Sequence, residues 1–88
     1  MEITSFASTE VEVTSVYFKN SNKGLESYPR SMVYEGREYN FMEEGLRYLV
    51  NTKEQLIKLF DMSDGDLQYR LRLDNSNHWT LVNIKAAA

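Results

Sequence analysis

The sequence predicts an all-β fold in which about seven antiparallel strands follow one another as a meander and form a small barrel or roll. Three observations support this fold class. Short stretches of β-branched, aromatic and aliphatic residues recur along the chain with turn residues between them. Residues 67–73 alternate between apolar and polar side chains, which is the period of a strand with one buried face. The Asp-Gly pair at residues 64–65 is one of the strongest short hairpin signals.

Composition and charge limit the classes of protein that fit. The chain has 88 residues, enough for one domain near the lower size limit of a self-sufficient core. It has no cysteine, which excludes disulfides, cysteine-based zinc sites and thiol nucleophiles. The net charge of −3 disfavours nucleic-acid binding by bulk electrostatics and leaves a local basic stripe open. With no apolar run of membrane-spanning length and no signal-peptide pattern, we expect a cytoplasmic protein.

The N-terminal part of the chain is predicted to hold one strand. Residues 11–18 are β-branched and aromatic, and the break in their alternation indicates a bulge or burial on both faces. Residues 1–10 are predicted to be a flexible N-terminus, and residues 19–27 a mobile polar loop. We assign residues 11–85 to a single β domain, and the three alanines at 86–88 to a tail added by cloning.

The next segment is predicted to form a hairpin. Pro29 opens its first strand, where a missing N–H costs least, and residues 35–36 form its turn. With a turn of two residues, Met32 lies opposite Tyr39 and on the same face as Phe41. This face is predicted to supply half of the core.

Residues 43–60 admit two interpretations. Residues 46–50 alternate as in a strand, whereas Thr52 and Gln55 have the spacing of a helix capping box. We favour strands, because residues 59–62 have to pair across the Asp-Gly turn with residues 67–70. The alternative is an α+β fold with a helix within residues 43–60.

The sequence predicts no catalytic site, metal site or cofactor. The acidic run at residues 61–66 resembles a calcium-binding loop, but an EF-hand in this register would need glycine in place of Asp66 and glutamate in place of Arg72. His78 is the only histidine, and neither a nucleophile motif nor a phosphate-binding loop accompanies it. We therefore expect a protein that is not an enzyme.

The candidate binding residues are basic and aromatic. Arg70 and Arg72 project from the same face of one strand, because they are two residues apart. Small barrels use strand faces of arginine and aromatic side chains to bind single-stranded nucleic acid or a peptide. The predicted binding residues are Arg47, Tyr48, Arg70, Arg72 and Trp79.

The position of Trp79 depends on the length of the loop that precedes it. A two-residue loop at 75–76 places Trp79 opposite Arg72 in an exposed patch, with a cation–π contact between them. A three-residue loop turns Trp79 inward, opposite Leu73. The simpler interpretation is that Trp79 belongs to the core and that the arginines pair with acidic residues such as Asp61, which the acidic net charge favours.

Four short runs carry a resemblance to other proteins: YPRSMVYEGREY at 28–39, LFDMSDG at 59–65, YRLR at 69–72 and HWTLV at 78–82. With its Pro-Arg pair and its Gly-Arg-x-Tyr turn, the segment 28–84 resembles small uncharacterised bacterial all-β domains. The resemblance implies the all-β fold. It carries no catalytic motif and no established activity.

The sequence therefore favours a non-enzymatic binding or accessory module that acts through a strand face or a sheet edge. Its partner is expected to be another protein or a second copy of the chain. One alternative is single-stranded nucleic-acid binding through the arginine and aromatic face. Another is a barrel that holds a small ligand in an open interior.

Overall fold

The structure, a computed structural model, describes the backbone of residues 4–86 and the side chains of residues 9–86. One antiparallel sheet with the strand order β3-β2-β1-β7-β6-β5-β4 curls into a half-barrel. No helix occurs in the described residues, so the predicted all-β class is confirmed and the α+β alternative is wrong. The seven strands are β1 (Thr4–Ser21), β2 (Gly24–Tyr34), β3 (Arg37–Asn40), β4 (Gly45–Asn51), β5 (Leu56–Ser63), β6 (Leu67–Leu73) and β7 (Trp79–Ala86).

The half-barrel opens between two strands that are consecutive in the chain. The first and last strands, β1 and β7, pair with each other in the middle of the sheet, which leaves β3 and β4 at its edges. The connection from β3 to β4 is tied to both sides of the opening. Phe41 donates a backbone hydrogen bond to the carbonyl of Arg30 in β2 (2.7 Å), and Met42 donates one to the carbonyl of Ser63 in β5 (2.7 Å).

The hairpin of β1 and β2 is longer than the sequence predicts. β1 continues to Ser21 and β2 begins at Gly24, so the predicted loop at residues 19–27 is wrong. The residues of this segment pair across the hairpin, for example Lys19 with Glu26 and Asn20 with Leu25, because pairing with a neighbouring strand outweighs weak local propensity. Pro29 lies within β2 instead of opening it, opposite Val16 and beside a register shift that interrupts the pairing.

The chain ends differ in how far the structure describes them. Residues 4–10, within the segment predicted to be flexible, belong to β1 and pair with β7. Ala86, assigned above to the tail, is the last residue of β7 and lies opposite Leu67. The remaining residues of the two segments, 1–3 and 87–88, lie outside the described residues.

Side chains from six of the strands fill the interior of the half-barrel. The predicted two-residue turn of the β2–β3 hairpin is confirmed, with Met32 opposite Tyr39. Tyr39 and Phe41 contact the ring of Tyr69 across the interior, at centroid distances of 5.7 and 5.3 Å. The buried apolar residues are Val11, Met32, Phe41, Phe60, Met62, Tyr69, Leu71 and Leu81.

The turn between β5 and β6 is held by the carboxylate of Asp64. Its oxygens accept hydrogen bonds from the backbone N–H groups of Asp66 and Leu67 and from the hydroxyl of Tyr69, at 2.7 to 2.9 Å. Gly65 supplies the positive φ, +105°, that the turn requires. Burial opposes ionisation of Asp64, but these hydrogen bonds together lower the pKa of its carboxyl.

Candidate binding site at the β4–β5 edge

Trp79 lies on the inner face of the sheet. It pairs with Leu73, as expected for a three-residue loop, and its ring packs against Phe60 at a centroid distance of 5.3 Å. The Asp74 carboxylate fixes this loop by accepting hydrogen bonds from the backbone N–H groups of Ser76 (2.9 Å) and His78 (3.0 Å). Trp79 is therefore part of the core and not a surface anchor.

Arg47 also points to the inner side of the sheet. Its guanidinium donates to the carboxylate of Glu26 in β2, and both side chains are mostly buried. The ion pair links the β1–β2 hairpin to the edge strand β4. Because side chains alternate along a strand, Arg47 and Tyr48 lie on opposite faces. Arg47 is therefore occupied inside the protein.

Arg70 lies on the outer face and is held by an acidic residue of the neighbouring strand. Its Nε and one terminal nitrogen donate to the two carboxylate oxygens of Asp61, at 2.7 and 2.8 Å. This bidentate pair lowers the pKa of the Asp61 carboxyl, against the opposite effect of burial. The guanidinium carbon of Arg70 also lies 5.7 Å from the ring centroid of Tyr48. The pairing of Arg70 with Asp61, which the simpler interpretation favoured, is confirmed.

The structure divides the five predicted binding residues between the two faces. Tyr48, Arg70 and Arg72 lie together on the outer face, where Arg72 is flanked by Leu59 of β5 and Thr80 of β7. Arg47 and Trp79 are on the inner face and do not join them. The outer face therefore carries one aromatic ring and two arginines, of which Arg70 is already paired.

Beside Tyr48, the outer face of β4 and β5 also carries apolar side chains that were not among the predicted binding residues. Tyr48 pairs with Leu59 and Val50 pairs with Ile57, so these residues adjoin across the two strands. The exposed fractions of the β4 side chains are high, at 57% for Leu46, 40% for Tyr48 and 39% for Val50. We call this surface the outer patch; it consists of Leu46, Tyr48, Val50, Ile57 and Leu59.

A signal for the outer patch was present in the sequence. The Asp-Gly turn pairs Leu59 with Arg72, so an apolar residue of β5 shares a face with an arginine. That combination marks an outward face with apolar residues on it. The alternation at residues 46–50 predicts a strand, but a period of two does not say which of its faces is buried.

The backbone of β4 has an unpaired side. Thr52 donates to the carbonyl of Gln55 (2.9 Å), so these two residues form a hydrogen-bonded pair next to the turn. Hydrogen-bonded and non-hydrogen-bonded pairs alternate along an antiparallel ladder. With the observed register, Leu46, Tyr48 and Val50 then bond to β5. The N–H and C=O groups that point away from the sheet are those of Gly45, Arg47, Leu49 and Asn51.

This free edge has few of the features that normally protect an edge strand. Such strands are usually short or carry proline or outward charges. β4 has seven residues, no proline, and one charged residue, Arg47, whose side chain is bonded to Glu26. The other edge is formed by β3, which has only four residues and includes Arg37 and Glu38, and by residues 24–30 of β2, which lie outside the β2–β3 pairing and include Glu26 and Pro29. Strand β4 is therefore the better candidate for pairing with another chain.

A second exposed apolar group lies on the β1–β2 hairpin. Phe18 and Leu25 are 65% and 64% exposed, and the residues opposite them, Ser27 and Asn20, are polar. With Val16, which is 38% exposed on the same face of β1, this group has three residues, against five in the outer patch.

No protein family, curated protein or solved structure matches the chain. Across the described part of the chain, no three His, Asp or Glu residues are grouped so that they could hold a metal ion. The same residues contain no helix of the length and apolarity needed to cross a membrane.

Proposed function

We propose that the protein is a non-enzymatic binding module that takes a protein partner on the outer patch and the free edge of β4. The observation that carries this proposal is that the exposed apolar outer patch adjoins the unprotected edge of β4. Contiguous exposed apolar surface on a small domain marks an interaction site. A free strand edge adds main-chain donors and acceptors that an extended partner strand can use.

The geometry favours recognition by strand addition. A partner strand beside β4 would form main-chain hydrogen bonds with the free edge, and its alternate side chains would lie on the outer patch. Arg70 contributes rigidity at the border of the patch, because Asp61 holds its guanidinium in place beside Tyr48. Side chains that are already ordered lose less conformational entropy when a partner binds.

Two other functions predicted from the sequence have less support. Nucleic-acid binding would use Tyr48, Arg70 and Arg72, but Arg70 is neutralised by Asp61 and the chain is acidic overall. Stacking platforms for single strands use several aromatic rings, and Trp79 is not on this face. A small-ligand site inside the half-barrel would need open space where Phe60, Tyr69 and other core side chains pack.

Site-specific photo-crosslinking in cells tests the proposal. A benzophenone amino acid is placed at Leu46 in the outer patch and, in a separate variant, at Leu25 in the hairpin group. Position 25 is a matched control for position 46, because both residues are exposed leucines on strands, at 64% and 57%. We expect protein adducts from position 46 and few from position 25.

The same experiment separates the competing functions. Adducts at position 46 that disappear on nuclease treatment would support nucleic-acid binding in place of protein binding. Equal adduct yields from the two positions, or none from position 46, would overturn the proposed site.

A further inference from the structure

We propose that the partner strand is β4 of a second copy of the chain, so that two sheets join into one through an antiparallel β4–β4 pair. This inference rests on the proposed function and names its partner. The two-fold axis passes through Tyr48, which makes the interface the same on both copies.

The hydrogen-bond pattern selects this register. With the axis at Tyr48, Arg47 lies opposite Leu49 of the second copy, and Gly45 lies opposite Asn51. These are the residues whose N–H and C=O groups point away from β5. Each opposed pair can exchange two main-chain hydrogen bonds, so every free group of the edge finds a partner.

The side chains fit the same register. On the outer face, Leu46 lies opposite Val50 of the second copy, and the two Tyr48 rings meet at the axis. The outer patches of the two copies therefore become one apolar surface. On the inner face, Arg47 lies opposite the neutral Leu49, so no like charges face each other across the strands.

Neighbouring registers are less favourable. An axis at Arg47 would bring the two copies of this arginine directly opposite each other, which is destabilising. An axis at Leu49 would leave Gly45 beyond the end of the paired strand. The register centred on Tyr48 is the one that pairs the full length of β4, Gly45–Asn51.

The expected dimer is reversible. A standard protein interface involves about 20–30 residues from each partner. The proposed contact involves fewer, namely the seven residues of β4 together with Ile57 and Leu59. Dimerisation should therefore depend on protein concentration in the purified protein.

Disulfide trapping tests the register, because the chain has no cysteine of its own. In Tyr48→Cys the two new side chains form a non-hydrogen-bonded pair with Cα atoms about 4.5 Å apart, which is within disulfide range. In Val50→Cys the new side chain faces Leu46 of the second copy. The two cysteines are then four residues apart along the paired strands, too far apart for a disulfide. The two positions are almost equally exposed, at 40% and 39%, so random collision would crosslink both.

On mild oxidation we expect a covalent dimer from Tyr48→Cys and little from Val50→Cys. Equal crosslinking of the two variants would overturn the inference. So would efficient crosslinking of Leu49→Cys without Tyr48→Cys, because it would place the axis at a different residue.

Sedimentation over a concentration series tests dimerisation without a crosslink. Leu49→Pro removes a free-edge donor while keeping the β4–β5 hydrogen bonds, since the N–H of Leu49 points away from β5. We expect the wild type to approach twice the monomer mass and Leu49→Pro to stay monomeric with an unchanged circular dichroism spectrum. A wild type that is monomeric at every concentration would overturn the inference.

A pair of double variants keeps the test valid if the proline variant does not fold. Leu46→Lys with Val50→Lys places like charges opposite each other across the axis, whereas Leu46→Glu with Val50→Lys places opposite charges there. We expect the first to be monomeric and the second to dimerise. The reverse order would contradict the register.

The outcomes also separate this inference from the proposed function. If the purified protein is monomeric but position 46 captures a different protein in cells, the second copy is the wrong partner and the binding site stands. If position 46 captures nothing beyond what position 25 captures, both proposals fail.

Discussion

Breaking the ion pair between Arg70 and Asp61 should destabilise the fold in a pH-dependent way. The bidentate pair joins β5 and β6, and its two nitrogen–oxygen distances are 2.7 and 2.8 Å. The change we consider is Arg70→Gln, which removes the charge and leaves the carboxylate of Asp61 without its partner. This variant also tests whether Arg70 is a structural residue or one that is free for binding.

The expected magnitude follows from how deeply each partner is buried. Exposed ion pairs contribute about 0.2–1 kcal/mol, and removing one partner of a fully buried pair costs about 3–5 kcal/mol. Asp61 is 7% exposed, but Arg70 is 38% exposed, so water screens the pair from one side. We therefore expect Arg70→Gln to lower the free energy of unfolding by about 1–2 kcal/mol at pH 7.

The sign of the pH dependence follows from the pKa of Asp61, which folding lowers. A carboxyl with a lowered pKa stabilises the fold fully above its unfolded pKa, about 3.9, and this contribution is lost as the pH falls through the folded pKa. The difference between wild type and Arg70→Gln should therefore be largest near pH 7. It should shrink as the pH falls below about 4.

Urea unfolding followed by circular dichroism, at a series of pH values, measures this difference. Arg72→Gln is the matched control, because Arg72 lies on the same strand and face; we expect a change within about 0.5 kcal/mol. A loss in Arg70→Gln that is independent of pH, or no larger than in Arg72→Gln, would refute the reasoning. In the double variant, the losses of unfolding free energy caused by Asp61→Asn and Arg70→Gln should be closer to additive at low pH than at pH 7.

Three further predictions concern the turns and the start of β4. Gly45→Ala should lower the free energy of unfolding by about 1–3 kcal/mol, because the new Cβ would lie 2.5 Å from the sulfur of buried Met62. Urea unfolding should show that the same substitution lowers the free energy of unfolding less in a Met62→Val background. Asp64→Asn should lower stability by about 1 kcal/mol at neutral pH, and this loss should fade in acid because folding lowers the pKa of Asp64; thermal melts at several pH values measure it. Gly24→Val and Gly65→Val should lower the melting temperature by similar amounts, since both glycines have φ above +100°; a harmless Gly24→Val would contradict this.

Local patterns were sufficient to predict the strands that alternate or flank a strong turn. The β2–β3 hairpin was predicted with its turn and register, because residues with positive φ are few and their positions specify the register. The β5–β6 hairpin was predicted at the right turn, but residues 59–62 pair with residues 69–72 and not with residues 67–70. The β1–β2 hairpin was missed at its tip. Its Ser, Asn and Lys residues have the composition of a loop, and they form strands because each has a partner across the hairpin.

The candidate site was predicted less completely than the fold. Tyr48 and Arg70 were identified, but Arg47 and Trp79 were grouped with them although they point inward. Arg47 faces inward because Glu26, which is distant in sequence, lies across the interior from it. Contacts between residues so far apart along the chain leave no periodic signal in the sequence.

The sequence by itself determined that the protein is a seven-stranded antiparallel sheet with a core of aromatic and aliphatic residues, because strand period and turn residues are local properties. Only the tertiary structure decided where the sheet opens. It opens between β3 and β4 because β1 and β7 pair with each other in the middle of the sheet. That pairing leaves β4 at an edge with its apolar residues facing outward, and on this placement the proposed function depends.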